Sequence, residues 1–449
     1  MRTLKAGYLS LVKGTWINES LEKKRKDSLK ALEKLAGVEI VDCGTLIQNE
    51  LEAEEAFKKF SDAKVDVVIA HFITFSLGAI IPSFATRLKV PIVFWSEPEP
   101  EMKGGRIEAN SFCATNMNAH ALWKLGADYS LVYGHAKEAL PELQRVLNVY
   151  GLAKGLVGAR IGSAGGRVPG FYTSNFNELG LRKAFGVEVE GITLLELVKL
   201  AESSSGEELA AGIAAVKSGC SCEVSEEELK KSGALFAAMK RLTAKYRLDA
   251  WAVRCWPEFS DLYGIGVCHN LGCSTSQIVP TACEGDVYGA LAMLAAKRLS
   301  GSDPFFCDMI SFDEHGDTGV FWHCGAAPVS LCKKGCAPKM SKHSIIDGGG
   351  KKGVAVEFPL KPGPVTVMRI GENRDGSGFR LLAISGEGLE TEQFIKGTPL
   401  KVRFKIPAMQ LARTIVENGF EHHYVLCHGD IAQELKLFAK ASGMEFMAL

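Results

Sequence analysis

Residues 50–72 read ELEAEEAFKKFSDAKVDVVIAHF, and the join near its centre decides the fold. The first part, Glu50 to Asp62, is charged and helix-periodic. The second, Val65 to Phe72, is rich in valine and isoleucine and reads as a strand. The same alternation runs outward in both directions. TLKAGYLSLV, GVEIVDC, VPIVFW and YSLVYG read as further strands, and Glu19 to Leu35 as another helix. Strands alternating with helices imply a parallel sheet covered on both faces. Ligands in such sheets collect at the C-terminal strand ends. Those ends carry VKGTW (Val12–Trp16), AHFITFS (Ala70–Ser76) and WSEPEPE (Trp95–Glu101).

A second α/β unit begins at GLVGARIGSAGGRVPGFY. Its GSAGG run lacks the GxGxxG frame, and no acidic residue is placed to read a ribose, so a strand-end loop is expected rather than a nucleotide site. GVEVEG and RLDAWAVRCW are its next strands, and Glu284 to Leu299 reads as a helix. From about Phe305 the texture changes. PFFCDMISFD, DTGVFWHCG, KGVAVEFPL, GPVTVMRIG, GFRLLAISG and LKVRFKI are successive strands separated by Gly, Pro, Asn or Asp turns, a pattern of antiparallel pairing. Asp347–Gly353 (DGGGKKG) reads as a solvated loop, and the tail as helix, His-rich strand, helix and short strand. The expectation is an α/β protein: two Rossmann-like parallel-sheet domains, 1–152 (flavodoxin-like) and 153–303, followed by an antiparallel β-barrel-like domain, 304–449.

An apolar fraction of 47% and a charged fraction of 23% over 449 residues suit a soluble globular protein of two or three domains. Fifty-two basic residues balance fifty-two acidic ones, which gives no electrostatic case for nucleic acid or an anionic membrane. The N-terminus is interrupted by Lys5 and Lys13 and does not read as a secretory leader; no apolar run spans a bilayer. A cytoplasmic location with reduced thiols is expected for the thirteen cysteines. Cys220–Cys222 and Cys332–Cys336 each lack the second spaced pair that would complete a zinc site, so ordinary thiols are expected there.

Three places set acid–base or ligand groups beside strand ends. Glu284 precedes a long apolar helix, with Asp286 two residues on; a helix N-terminal acid is the plain alternative. Asp308 lies inside the apolar run FFCDMISF, where a carboxylate costs free energy unless paired or metal-bound. His323 ends an aromatic strand, either as a core histidine or as a ligand. FEHHYVLCHGDIAQ (Phe420–Gln433) adds His422, His423 and His428; on an extended strand His422 and His423 face opposite ways. Carboxylates with imidazole suit Mn²⁺, and less selectively Co²⁺, Mg²⁺ or Fe²⁺.

These motifs resemble the L-fucose isomerase and L-arabinose isomerase superfamily, closer to the fucose side. TACEGDVYGALAML is similar to the segment that carries a Glu acting as ligand and acid–base catalyst, which the resemblance puts at Glu284. FFCDMISF resembles the strand of the second catalytic carboxylate and ligand, implying Asp308. EHHYVLCHGDI resembles the strand with the metal-binding histidine, implying His423, and FWHCGAAP the strand where arabinose isomerases add a further ligand, here His323. KGTWINESLE and SLVYGH resemble the first loop and the end of the family's first domain.

The resemblance implies aldose–ketose isomerisation of an open-chain sugar through a cis-enediol, with Glu284 and Asp308 as the acid–base pair and Mn²⁺ or another divalent metal, and no organic cofactor. It implies a homo-trimer or homo-hexamer in which the first domain of one subunit lids its neighbour's site. The substrate-facing positions would be Lys13, Trp16, Phe72, Arg167, Phe171, Arg254 and His422, and Lys13 and Arg167 would suit a sugar bearing a sulfonate, phosphate or carboxylate. A non-catalytic sugar-binding protein and a metal-dependent sugar epimerase or aldolase are the alternatives.

Overall fold

The structure is a computed structural model that describes residues 3–100, 104–343 and 352–449. Glu101 of the WSEPEPE stretch and Asp347–Lys351 of the glycine-rich loop lie outside the described residues. The chain divides into two compact units, Met1–Gly155 and Leu156–Leu449.

Unit 1 holds strands β1 (Leu4–Leu11), β2 (Val38–Asp42), β3 (Val67–Phe72), β4 (Ile92–Ser96) and β5 (Tyr129–Tyr133). They form one parallel sheet in the order β2-β1-β3-β4-β5, the flavodoxin-like order. The opening stretch shows why. Asn49 caps the helix Glu50–Ala63 by accepting from the Leu51 and Glu52 N–H groups, and the helix turns Ala53, Ala56 and Phe60 inward. Lys64 then reverses the chain in a left-handed conformation, and all six residues of β3 are buried. A strand buried on both faces belongs in the middle of a covered parallel sheet, where β3 sits.

In unit 2, β6 (Arg160–Ala164), β7 (Glu188–Ile192), β8 (Ser221–Cys222), β9 (Ala250–Val253) and β10 (Thr281–Ala282) precede the β-rich half. Four of them form a parallel sheet, β10-β9-β6-β7. Beyond come β11 (Phe305–Asp313), β12 (Thr318–Trp322), β13 (Lys339–Lys342), β14 (Gly353–Glu357), β15 (Gly363–Glu372), β16 (Phe379–Gly388), β17 (Leu400–Phe404), β18 (His423–His428) and β19 (Glu445–Ala448). The circuit β15-β18-β11-β12-β17-β16 returns to β15 and closes an antiparallel barrel, with β19 added parallel to β16. Phe305, Phe321, Val367, Leu382, Leu400 and Leu426 fill its core. Closure removes exposed strand edges, and it needs the late strand β18 to fit between β11 and β15. That circuit leaves no place for β14. This strand instead pairs with β13, and β13 with β8, in a separate small sheet. Among the described residues no helix is long and apolar enough to cross a membrane.

Candidate active site

Glu284 lies in the turn between β10 and the helix Val287–Ser300, which begins later than the apolar pattern predicts. Glu284 and Gly285 both adopt left-handed backbone, at φ +59° and +71°. For a glutamate this costs roughly 1–2 kcal/mol, a strain that persists only where surroundings hold it. The surroundings are visible. A Cβ on Gly285 would stand 2.1 Å from the Gly166 carbonyl oxygen and 2.9 Å from Arg167 Cα, so the GSAGG loop presses on the turn. Glu284 Oε1 accepts from Trp256 Nε1 at 2.8 Å, and Oε2 lies 2.7 Å from His423 Nε2.

Asp286 is the helix N-cap, accepting from the Gly289 N–H at 2.7 Å. It does more than cap. Its carboxylate pairs with the fully buried Arg369 at 2.5 Å and lies 3.0 Å from His423 Nδ1. His423 is thus held between two carboxylates. Burial pushes its imidazolium down, but Asp286 and Glu284 outweigh that and raise it to about 9. The counterpart holds for the acids. Burial alone would raise Asp286, yet Arg369 and His423 keep it well below the ordinary carboxylate range, and His423 likewise lowers Glu284. Sequence spacing alone reads Asp286 as a cap. Its link to His423, 137 residues away, comes only through the fold.

Asp308 on β11 pairs across the barrel wall with His423 on β18 and Trp322 on β12. Its Oδ1 stands 4.0 Å from His423 Nε2 and is buried with no hydrogen-bond partner among the described residues. The side chain keeps 29% of its surface, so it lines an opening rather than the core expected from its apolar neighbours. His323 Nε2 is likewise buried and unpartnered among the described residues. His323 Nδ1 accepts the Cys324 backbone N–H at 2.9 Å. That acceptor role puts the ring proton of the neutral imidazole on Nε2, which suits a donor to substrate better than a metal ligand.

The His422–His423 pair departs from strict alternation. β18 starts at His423, so His422 lies before the strand, and the two rings stand 3.8 Å apart. The donor atoms of Glu284, His422 and His423 all fall within 4.8 Å of one another. Burial and the neighbouring His423 push His422 down to about 4, so it is neutral at physiological pH. His422 Nδ1 lies 2.9 Å from Thr173 Oγ1. Phe171 meets Trp256 and His422 edge-on and forms an aromatic wall beside them. His428 is structural, with Nε2 on the Lys361 carbonyl.

The other expected contact residues divide. Arg167 follows the loop that packs on Gly285, with its guanidinium over Tyr172. Arg254 pairs with Glu258 at 2.5 Å. In unit 1, Lys13 and Arg106 both lie over the Trp16 ring, at 5.2 and 5.0 Å, and Arg106 is a cation the sequence reading did not single out. Phe72, in contrast, is fully buried in the unit 1 core against Phe94, which leaves no ring face for a sugar. Unit 1 also holds an unexpected buried network. Glu97 contacts His71, His135 and Lys24 at 2.9, 2.9 and 2.7 Å, and Tyr8 closes on His71 at 2.9 Å. Tyr8, His71, Glu97 and His135 lie in the quoted runs TLKAGYLSLV, AHFITFS, WSEPEPE and SLVYGH, where nothing local ties them together.

The donor chemistry fits a divalent cation: two carboxylates and an imidazole converge, and a buried carboxylate oxygen among them lacks a partner. Family models add to this geometry. The model described as "Fucose/sulfoquinovose isomerase, N-terminal domain" matches residues 7–155, and "L-fucose isomerase, C-terminal domain" matches 321–448. His323 and His423 fall inside the second match, and Glu284 and Asp308 between the two. Sulfoquinovose isomerase of Alkalicoccus urumqiensis is 32% identical over 85% of this chain and 86% of its own. Those of Priestia aryabhattai and Clostridium sp. (strain MSTE9) are 31% and 30% identical, over 90% and 84% of this chain and 91% and 85% of theirs. Matches at both ends, with relatives spanning nearly the whole length, make this chain a member of the fucose/sulfoquinovose isomerase family.

Proposed function

We propose that this chain interconverts an aldose and a ketose, with an open-chain sulfonated hexose of the sulfoquinovose kind as substrate. Family membership supports the reaction class, and the names of the relatives support the sulfonated sugar. The observation that carries the site is the convergence on one atom: His423 Nε2 lies 2.7 Å from Glu284 and 4.0 Å from Asp308. Glu284, Asp308 and His423 would hold the divalent ion, Mn²⁺ by donor type, with Co²⁺ or Mg²⁺ as alternatives. Bound there, such an ion supplies Lewis-acid polarisation of the sugar carbonyl.

The chain's own groups do the rest. Trp256 fixes one oxygen of Glu284, and Asp286 fixes His423. One carboxylate of the Glu284–Asp308 pair removes the proton beside the carbonyl, and the pair delivers it to the neighbouring carbon through a cis-enediol. Neutral His422 and the Nε2–H of His323 would bond sugar hydroxyls, and Phe171 and Trp256 would cover a sugar face. Arg167, packed beside the Glu284 turn, is the cation for the sulfonate. A homo-trimer or homo-hexamer with shared sites belongs to the same proposal, and light scattering on purified protein measures it.

The functional test incubates the enzyme with sulfoquinovose or glucose in D₂O, with and without Mn²⁺, under NMR. The expected result is Mn²⁺-dependent ketose formation from the sulfonated sugar with deuterium uptake. Epimer formation or carbon–carbon cleavage in place of ketose would overturn the reaction class. Equal turnover of glucose would overturn the anionic substrate.

A further inference from the structure

Four cysteines and a histidine that the isomerase reading leaves without a task meet in unit 2. Cys255 follows β9 by two residues, Cys268 opens the helix Cys268–Gln277, Cys283 precedes Glu284, Cys324 follows His323, and His343 follows β13. Cys255 Sγ lies 3.0 Å from Cys283 Sγ. Cys268 Sγ lies 3.2 Å from Cys324 Sγ and 3.4 Å from His343 Nε2. The donor atoms of Cys255, Cys268 and Cys283 are all within 4.8 Å of one another, as are those of Cys268, Cys324 and His343. Four cysteine side chains are buried here, and all thirteen cysteines are free of disulfides.

A neutral thiol is a weak donor and a weak acceptor, so crowding four of them together gains little. A buried cysteine with no further role packs singly among hydrocarbon, as Cys307 does in the barrel core. We propose that Cys255, Cys268, Cys283 and Cys324 form a closed structural site for one thiolate-preferring divalent ion of the Zn²⁺ kind, with His343 backing the Cys268 sulfur. Thiolates select such ions, whereas the Glu284 site offers oxygen and imidazole. Zinc–sulfur bonds of about 2.3 Å set the sulfurs of a tetrahedron roughly 3.8 Å apart, so the close pairs need to open by less than an ångström, while Cys324, which reaches Cys268 but stands outside the Cys255–Cys268–Cys283 group, has to draw in toward it. The spacing is far too tight for an iron–sulfur cluster, which stands between its cysteines.

The site explains more than the thiols. Cys255 adjoins Trp256, the donor to Glu284; Cys283 adjoins Glu284 itself; Cys324 adjoins His323. One ion would tie together three separate chain segments that carry the candidate catalytic side chains, a positioning role typical of a structural metal. Neither sequence-adjacent pair takes part: Cys222 and Cys336 are exposed.

The test needs no turnover, so its outcome is separate from that of the isomerase reading. Full-length protein dialysed against EDTA is analysed for metal by mass spectrometry and then loaded with Co²⁺. About one equivalent of Zn²⁺ per chain is expected to survive dialysis, and the Co²⁺ form is expected to show thiolate-to-metal charge-transfer absorption with tetrahedral d–d bands. Cys268→Ser should lose both, and Cys222→Ser should keep both. If Cys268→Ser does not fold, the wild-type metal content and Co²⁺ spectrum decide alone. Absence of retained soft metal together with a Co²⁺ spectrum lacking thiolate bands overturns the proposal. So does a denatured thiol count below the thirteen cysteines of the chain, which would mean disulfides in the cluster.

Discussion

Asp286→Asn separates positioning from capping at the candidate site. Asparagine caps a helix as well as aspartate does, so the bond to the Gly289 N–H is expected to survive. What disappears is the charge that faces Arg369 at 2.5 Å and His423 Nδ1 at 3.0 Å. Losing one partner of a buried pair costs about 3–5 kcal/mol. Arg369 retains the Thr173 carbonyl at 3.3 Å and Glu421 at 3.6 Å, which brings the expectation to roughly 2–3 kcal/mol of stability. The carboxylate that orients a ligating histidine is worth about 10–100-fold in metal affinity, or roughly 1.4–2.7 kcal/mol. Calorimetric titration of the metal-free protein with Mn²⁺ measures the affinity, and thermal unfolding measures the stability. Adding Arg369→Met removes the orphaned cation, so the double variant should regain most of the stability and none of the affinity. Wild-type Mn²⁺ affinity in Asp286→Asn would refute the claim that this carboxylate orients His423 for a metal.

Two further outcomes concern the same site and a third the Glu97 network of unit 1. His323→Gln should leave Mn²⁺ affinity within about twofold while lowering kcat roughly 10–100-fold, because Nε2 acts as a donor; a tenfold loss of affinity would make it a ligand after all. Gly285→Ala should cost at least about 2–4 kcal/mol and most of the activity, since its Cβ meets the Gly166 carbonyl at 2.1 Å and its φ is +71°; a unit 2 melting temperature unchanged from wild type would refute that packing. In unit 1, burial would raise the Glu97 carboxyl, but His71 and Lys24 bring it down to about 2. Burial keeps the His71 pKa below its ordinary value, so near neutral pH the ring serves as a hydrogen-bond donor rather than a charge. A depressed acid stabilises the fold above its unfolded pKa of about 4.3, and that contribution fades as pH falls through about 2. Glu97→Gln should therefore cost roughly 2–3 kcal/mol at pH 7, with the gap to wild type closing between about pH 4.3 and 2 in acid-dependent melts. A gap that does not change with pH would refute the assignment.

Local pattern was enough for the elements and for their pairing class. Valine- and isoleucine-rich runs alternating with charged helices define covered parallel strands whatever lies beyond them, and the turn-separated runs after Phe305 define antiparallel ones. The same locality explains the misreadings. Phe72 stands in a strand-end segment that looked exposed, but β3 lies in the middle of its sheet and is covered on both faces. KGVAVEFPL has the texture of a barrel strand, and nothing within it says that β18 closes the ring and leaves β14 outside.

Family resemblance singled out Glu284 and His423 from the sequence, and for Asp308 the cost of a carboxylate inside an apolar run pointed the same way. Only the fold decided what surrounds them. Asp286 became the partner of His423 because β18 brings that histidine to the N-terminus of the helix Val287–Ser300. Four cysteines spaced across about seventy residues, which showed no pairing in the sequence, became one cluster because the ends of three chain segments meet on Cys268. Secondary structure is written in neighbours along the chain. A site is written in neighbours across it, and those exist only once the sheet and the barrel have closed.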